Sequence, residues 1–414
     1  MHRSEKETRA LLTGWMSDMT TTRILLKNST LIDGTGASPL PHSLVLLDDD
    51  RIIAVSDRPN DLPTDVEWRE IDLSGKFLLP GFINAHDHVA TKRVRGPLSL
   101  QVLTSDEIVL GISVNNVLLN LSEGITTMRE MGSRNGFSKI MRTMVQSRRL
   151  IGPRLVIVGR ALTSTAGYAS RSSVEVDSPL EARKAAAQLI KDGVDWIKCM
   201  ASIEWELAAG EPISAVNMDV PTMQAAFDVG HHHGKRCAVH AICDEAIANA
   251  LAAGVDTIEH GIMLSARTAD EMARRNVFLV PTLSGYYEHR NDWGRGESVQ
   301  RHGDLLQQYH MDGFRNARAA GVKFAFGTDT LGNFVDEARL MQSGGATPMD
   351  CVVAATRWGA ELLGLSKEIG TVEKGKIADL AVLNSDPLES PSAFGDVHRV
   401  IKNGRLFDPR QIPI

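Results

Sequence analysis

The chain has 414 residues, of which 43% are hydrophobic and 23% charged, and carries a net charge of −6. This length exceeds what one small core needs and excludes a lone peptide-binding module, while the apolar content excludes a disordered chain. The negative balance leaves no electrostatic footprint for nucleic acid, so a small molecule is the expected partner.

Residues 1–22 mix Arg3, Glu5, Lys6, Glu7, Arg9 and Asp18 with only the brief patch Ala10-Leu11-Leu12. They lack a signal peptide's apolar core and read as an N-terminal extension. No later stretch approaches eighteen consecutive apolar residues, so no membrane partner is expected. From Arg23, the run Ile24-Leu25-Leu26 leads into the turn Asp33-Gly34-Thr35-Gly36, and residues 43–47 and 51–55 flank the acidic tip Asp48-Asp49-Asp50-Arg51. That pattern is a small β-unit with a hairpin. Residues 370–383 and 397–407 repeat the style around Lys374-Gly375-Lys376 and Lys402-Asn403-Gly404, so two β-rich ends bracket the middle.

Between about 77 and 365, short apolar runs alternate with helical stretches, the signature of βα units around a parallel sheet. Eight strands are predicted at 77–84, 126–129, 155–159, 196–200, 236–240, 257–259, 278–281 and 322–327. Alanine-rich periodicity predicts helices at 181–191, opened by Ser178-Pro179, at 244–253 and at 266–275. Eight repeats over this length predict an α/β fold, a (β/α)8 TIM barrel. The alternative, a doubly wound open sheet, usually carries a glycine-rich phosphate loop after its first strand, and Pro80-Gly81-Phe82-Ile83-Asn84-Ala85 is not one. Cys199, Cys237, Cys243 and Cys351 contain no Cys-x-x-Cys pair, which points to reduced thiols in a cytoplasmic protein and away from cysteine-ligated zinc.

In a barrel, the C-terminal ends of the strands converge on one mouth. Reading off those ends gives His86 and His88, Lys198, His240, His260 and Asp329. His-x-His on an extended segment places both imidazoles on one face, where they can chelate one cation. His231-His232-His233 reads differently, as the end of a helix over 222–233 before Gly234, where imidazoles favour the negative pole. His240 and His260 could each be a core histidine bonded to a carbonyl, but both terminate apolar runs on the same rim as the first pair. Lys198 lies within Trp196-Ile197-Lys198-Cys199-Met200, where a buried ammonium is costly. It either reaches solvent or an acid such as Glu130, or its deprotonated amine has added carbon dioxide to become an anionic carbamate that bridges metals. Asp329 either caps the next turn or, facing the histidines, serves as ligand and proton shuttle.

These stretches together resemble the metal-dependent amidohydrolase superfamily, and within it the imidazolonepropionase-like and prolidase-like hydrolases. The matching segments are Leu79-Pro80-Gly81-Phe82-Ile83-Asn84-Ala85-His86-Asp87-His88, Gly124-Ile125-Thr126-Thr127-Met128-Arg129-Glu130, Asp195-Trp196-Ile197-Lys198, Val239-His240-Ala241, Thr257-Ile258-Glu259-His260-Gly261, Phe326-Gly327-Thr328-Asp329 and Gly375-Lys376-Ile377-Ala378-Asp379. The resemblance implies a barrel over 77–365 and a discontinuous β-sandwich domain from 23–76 and 366–414. It implies two divalent metal ions, zinc first and cobalt or manganese next. His86, His88 and Asp329 would bind the more buried ion, His240 and His260 the more exposed one, and carboxylated Lys198 would bridge them. A bridging water made acidic by both cations would attack a carbonyl, with Asp329 passing its proton to the leaving nitrogen. A homo-oligomer is also implied.

Two loops depart from the prolidase-like pattern: Thr165-Ala166-Gly167-Tyr168-Ala169-Ser170 replaces a Thr-Gly-Gly-His-Gly type of loop, and Ala201-Ser202 leads into Ile203-Glu204-Trp205-Glu206 instead of two glycines. These loops face the substrate, so the departures bear on recognition of a dipeptide carboxylate and leave the metal chemistry untouched. Tyr168, Trp205, Tyr286 and Tyr287 are candidates to pack an aromatic substrate or, equally, ordinary loop residues. Residues 284–302 are long enough for a lid or a surface excursion. The expected function is hydrolysis of a C–N bond in a small amide, such as an N-acyl amino acid or peptide, with aryl-amide, phenylurea or carbamate substrates next. A one-metal deaminase and a silent assembly protein are the alternatives.

Overall fold

The computed structural model describes residues 23–61, 63, 67–91, 105–204, 214–286 and 296–414. The extension 1–22 lies outside them. Strand Arg23–Leu31 pairs antiparallel with Leu40–Asp48, which turns back into Arg51–Ser56 with Asp48 opposite Arg51. The acidic tip is therefore the hairpin turn, and Asp49 takes the left-handed conformation (φ 51°) that aspartate tolerates there.

Arg23–Leu31 also pairs parallel with Arg69–Asp72 and Phe77–Pro80, and Phe77–Pro80 pairs antiparallel with Leu380–Leu383 from the far end of the chain. Val397–Lys402 and Arg405–Phe407 complete the sheet. Leu26, Val45, Leu47, Leu78, Leu380 and Val382 alternate along these strands to form its core. The two chain ends thus meet in one eight-stranded sheet. Among the described residues the ladder runs edge to edge through Phe77–Pro80, and no second sheet from these segments is detected to make the expected sandwich a separate domain.

The run predicted as one barrel strand, 77–84, is two. Phe77–Pro80 belongs to the terminal sheet, and Phe82–Asp87 starts the central parallel strands. Gly81 lies at the switch, where its N–H donates to Asp379 O at 2.7 Å. A methyl group built there would stand 2.2 Å from Thr126 Oγ1 and 2.4 Å from Cγ2, closer than any real contact. Gly81→Ala is accordingly expected to cost about 1–3 kcal/mol of stability, as overpacking does, measurable as a lower urea midpoint at unchanged slope.

The central strands are parallel throughout. Phe82–Asp87, Ile125–Glu130 and Arg154–Ile157 form one group, while Val174–Glu175, Leu162–Thr163, Trp196–Met200, Arg236–Ala241, Thr257–His260 and Phe278–Val280 form another. Every residue of Trp196–Met200 is buried, as a strand covered on both faces requires. Among the described residues no closed eight-stranded ladder is detected. The third expected strand stops at Ile157, and Gly159 (φ 71°) breaks it before Leu162. The seventh ends at Val280 because Pro281 has no N–H to donate. The eighth segment is held without becoming a regular strand: Leu279 bridges Phe324, Leu279 N bonds Lys323 O, and Ala85 N bonds Phe326 O at 2.7 Å.

The helices start where the sequence supplies caps. Pro179–Lys191 begins with Ser178 accepting from Glu181 N and proline in the first turn, two residues before the predicted start. Val220–His232 is capped by Asp219 and places the histidine triplet at its C-terminus. Asp244–Ala253 and Ala266–Arg274 follow the predicted spans closely. No helix among the described residues is long and apolar enough to cross a membrane.

Candidate metal centre

Strand ends set the site. His86 lies in Phe82–Asp87, Lys198 in Trp196–Met200, His240 in Arg236–Ala241, and His260 closes Thr257–His260. Met200 pairs with His240 and Ala241 with His260, so His240 and His260 lie within one residue of the same level, while Lys198, paired with Ala238, lies two residues before His240 in the register. The four imidazoles form a chain: ring centroids lie 5.3 Å apart for His88 and His86, 4.9 Å for His86 and His260, and 4.7 Å for His260 and His240. Asp329 Oδ1 lies 3.4 Å from His86 Nε2 and 3.3 Å from His88 Nε2. Gly327 makes this approach possible, because a methyl there would meet His86 Cβ at 2.8 Å.

Hydrogen bonds decide which nitrogen each ring turns inward. His86 Nδ1 lies 2.8 Å from Glu259 Oε2 and His88 Nδ1 lies 2.8 Å from Gly132 O; both acceptors can only receive a proton. His260 Nδ1 lies 2.7 Å from Thr282 Oγ1, whose own proton goes to Pro281 O. Each of these three rings therefore spends its N–H outward and keeps an Nε2 lone pair. The Nε2 atoms of His86 and His240 are buried without a hydrogen-bond partner among the described residues. Lone pairs of His86 and His88 thus face a carboxylate oxygen, an arrangement that only a shared proton or a cation stabilises. His86, His88 and Asp329 form a group able to hold a metal ion, and the nitrogen-and-oxygen donor set suits zinc, cobalt or manganese.

The electrostatics agree. Burial, reinforced by the Lys198 charge, pushes His240 down to about 3, and burial beside His240 holds His260 well below the usual range. Both imidazoles are neutral and able to ligate. Burial alone would raise Asp329, but the His86 and His88 rings outweigh it and hold the carboxyl well below its usual range. Lys198 is 2% exposed and makes no hydrogen bond or ion pair with any described residue. Burial brings its amine down to about 8 against the pull of Glu259 and Asp329. The pairing with Glu130 that the sequence left open is not made; burial pushes that carboxyl up to about 7.

The backbone around the site is strained. His260 (φ 70°), Thr282 (φ 52°), Asp329 (φ 45°) and Thr330 (φ 68°) all occupy the left-handed region without being glycine, at about 1–3 kcal/mol each. His310 supports two of them. Its Nε2 donates to Pro281 O at 2.7 Å and His260 O at 3.2 Å, from inside helix Gly296–Ala319. The sequence offers no signal for His310, a lone histidine outside every motif. Nor did it signal Arg129 and Glu259, which meet only across strands.

The family model for the amidohydrolase family matches residues 77–407. The chain belongs to that family. It is 27% identical over 344 residues to an uncharacterized protein of Mycobacterium tuberculosis, covering 81% of this chain and 86% of the relative. It is 23% identical over 432 residues to imidazolonepropionase of Agrobacterium fabrum, covering 91% and 93%. Among solved structures, a prolidase complexed with N-methylphosphonate-L-proline superposes with a TM-score of 0.83 at 28% identity, covering 94% of this chain and all of that one. This amidohydrolase is thus a hydrolase of the barrel type, with prolidase-like structural neighbours.

Within the amidohydrolase the remaining candidates divide. Tyr168 stacks on His240 with centroids 4.4 Å apart and planes 17° from parallel. Tyr286 is buried, its ring 5.2 Å from His260 and 5.3 Å from His310. Trp205 and Tyr287 lie outside the described residues, as do residues 287–295 of the 284–302 stretch. His231, Cys237 and Asp256 also cluster, but Asp256 Oδ2 already accepts from Cys237 N at 2.7 Å and lies 2.9 Å from His231 Nε2. That group ties a helix end to a strand start, in keeping with the helix-end reading of the triplet.

Proposed function

We propose that this amidohydrolase uses two divalent ions to hydrolyse the C–N bond of a small amide, with N-acyl amino acids and peptides as the leading substrates. One observation carries the reading: inward-facing imidazole nitrogens meet Asp329 beside a buried lysine that has no hydrogen-bond or ion-pair partner among the described residues. His86, His88 and Asp329 would hold one ion, His240 and His260 the other, with carboxylated Lys198 between them. Zinc is the leading ion, with cobalt or manganese as the alternatives. When bound, the ions polarise the carbonyl and acidify water towards neutral pH.

The chain's own groups do the rest. Asp329, held ionised, takes a proton from the attacking water and delivers it to the leaving nitrogen, first base and then acid. Lys198, with its amine down at about 8, is partly unprotonated near neutral pH. Its neutral Nζ can therefore bond the carbon of carbon dioxide and release one proton, two counted from the ammonium, which leaves an anionic two-oxygen ligand in place of a buried cation. Tyr168 against His240 and Tyr286 against His260 set aromatic faces beside the site, which supports aryl-amides, phenylureas and carbamates as the second substrate group.

The test is elemental analysis of protein prepared with and without bicarbonate, followed by amide, urea, carbamate and ester panels. Two ions per chain with turnover of an amide are expected. Full activity with fewer than two ions, or no turnover by fully loaded protein on any panel, would overturn the reading.

A further inference from the structure

We infer that Glu259, gripped by Arg129, is a positioning residue that fixes which nitrogen His86 turns to the ion, so that this buried pair sets the affinity of the site. The inference rests on the function proposed above, because it assigns the pair a task at that same site.

Both residues are fully buried. Glu259 Oε1 accepts from Arg129 Nη2 at 2.8 Å and from Thr257 Oγ1 at 2.6 Å, and Oε2 accepts from Arg129 Nη2 at 2.9 Å and from His86 Nδ1 at 2.8 Å. The carboxylate is thereby satisfied from three strands. Arg129 also donates from Nε to Ala85 O at 2.6 Å, and its guanidinium lies 4.6 Å from the centre of the Trp196 ring. It therefore grips the backbone one residue before His86, while Glu259 grips the ring. Arg129 Nη2 donates to both carboxylate oxygens and Thr257 Oγ1 to one of them, so Glu259 acts as an acceptor throughout and His86 must carry its proton on Nδ1.

Buried ion pairs are a poor route to stability, since apolar groups of the same volume serve as well or better. Orienting a metal-binding imidazole is the use that explains this one, and loss of such a partner typically weakens metal binding by about 10–100-fold.

The substitution Glu259→Gln separates the two roles. A glutamine has one accepting atom: facing His86 it sets its NH2 against Arg129, and facing Arg129 it offers His86 a donor and drives the ring proton to Nε2. Zn2+ affinity, measured by chelator competition on folded protein, is expected to fall about 10–100-fold. Imidazole 15N NMR of the metal-free protein is expected to show the His86 proton on Nδ1 in the wild type and on Nε2 in the variant. Arg129→Lys, which keeps the charge and loses the contact to Ala85 O, is expected to fall between. Should the variants fail to fold, the wild-type spectrum decides alone: a His86 proton on Nε2 overturns the inference. Zn2+ affinity and tautomer unchanged in a folded Glu259→Gln variant would also overturn it, leaving the proposed function standing. A wild type that binds no Zn2+ would defeat both.

Discussion

Asp329→Asn will keep its fold and lose about 10²–10⁴-fold in kcat towards an amide substrate at saturating Zn2+, the range that general acid–base catalysis contributes. Two features make this substitution clean. Asp329 and Thr330 lie at φ 45° and 68°, and asparagine is among the few residues that accept that region, so the turn survives. The amide also keeps an oxygen at the position 3.3–3.4 Å from His88 and His86 Nε2. What it lacks is a basic oxygen to take a proton and hand it to the departing nitrogen. Steady-state kinetics alongside the thermal midpoint provide the check. Activity within tenfold of wild type would remove Asp329 from proton transfer.

Replacing Lys198 gives the second large effect, in two measurements of opposite sense. Lys198→Ala is expected to lose one bound ion and at least about 10²-fold in activity, recovering in part when a short carboxylic acid is added to fill the vacated place. Retained activity with one ion would favour the deaminase alternative. Metal-free stability should behave differently. The folded state lowers the amine to about 8 from its usual 10.5, so between those values the unfolded chain binds more protons and stability rises with pH. Below pH 8 the penalty for the buried charge is complete. Metal-free, uncarboxylated Lys198→Met protein is accordingly expected to be at least as stable as wild type at pH 7 in urea, with its advantage shrinking between pH 8 and 10.5. A less stable variant at pH 7 would show that the ammonium has a partner after all.

The six candidate side chains were legible because strand geometry converts sequence into position: His86 and His88 are two apart, and His240 and His260 each close an apolar run. What supports them was not. Glu259 lies 173 residues from His86 and 130 from Arg129, and no local periodicity records a pairing of that span. His310 acts on the backbone of His260 from helix Gly296–Ala319, 50 residues further along the chain. The fold was legible to the same depth. The βα alternation showed the parallel strands, yet it could not show that Gly81 hands the chain from one sheet to another. Nor could it show that the 322–327 segment satisfies its backbone on both sides without joining a regular ladder. Those outcomes depend on contacts such as Thr126 against Gly81, which appear only once the chain is packed.

Anomalous scattering at the zinc edge from crystals of the Zn2+-loaded protein tests the central claim most directly. Two peaks about 3.5–4 Å apart are expected, one against His86, His88 and Asp329 and the other against His240 and His260, with density for a carbamate on Lys198 between them. Zinc bound elsewhere, or a single peak beside an unmodified Lys198, would contradict the account.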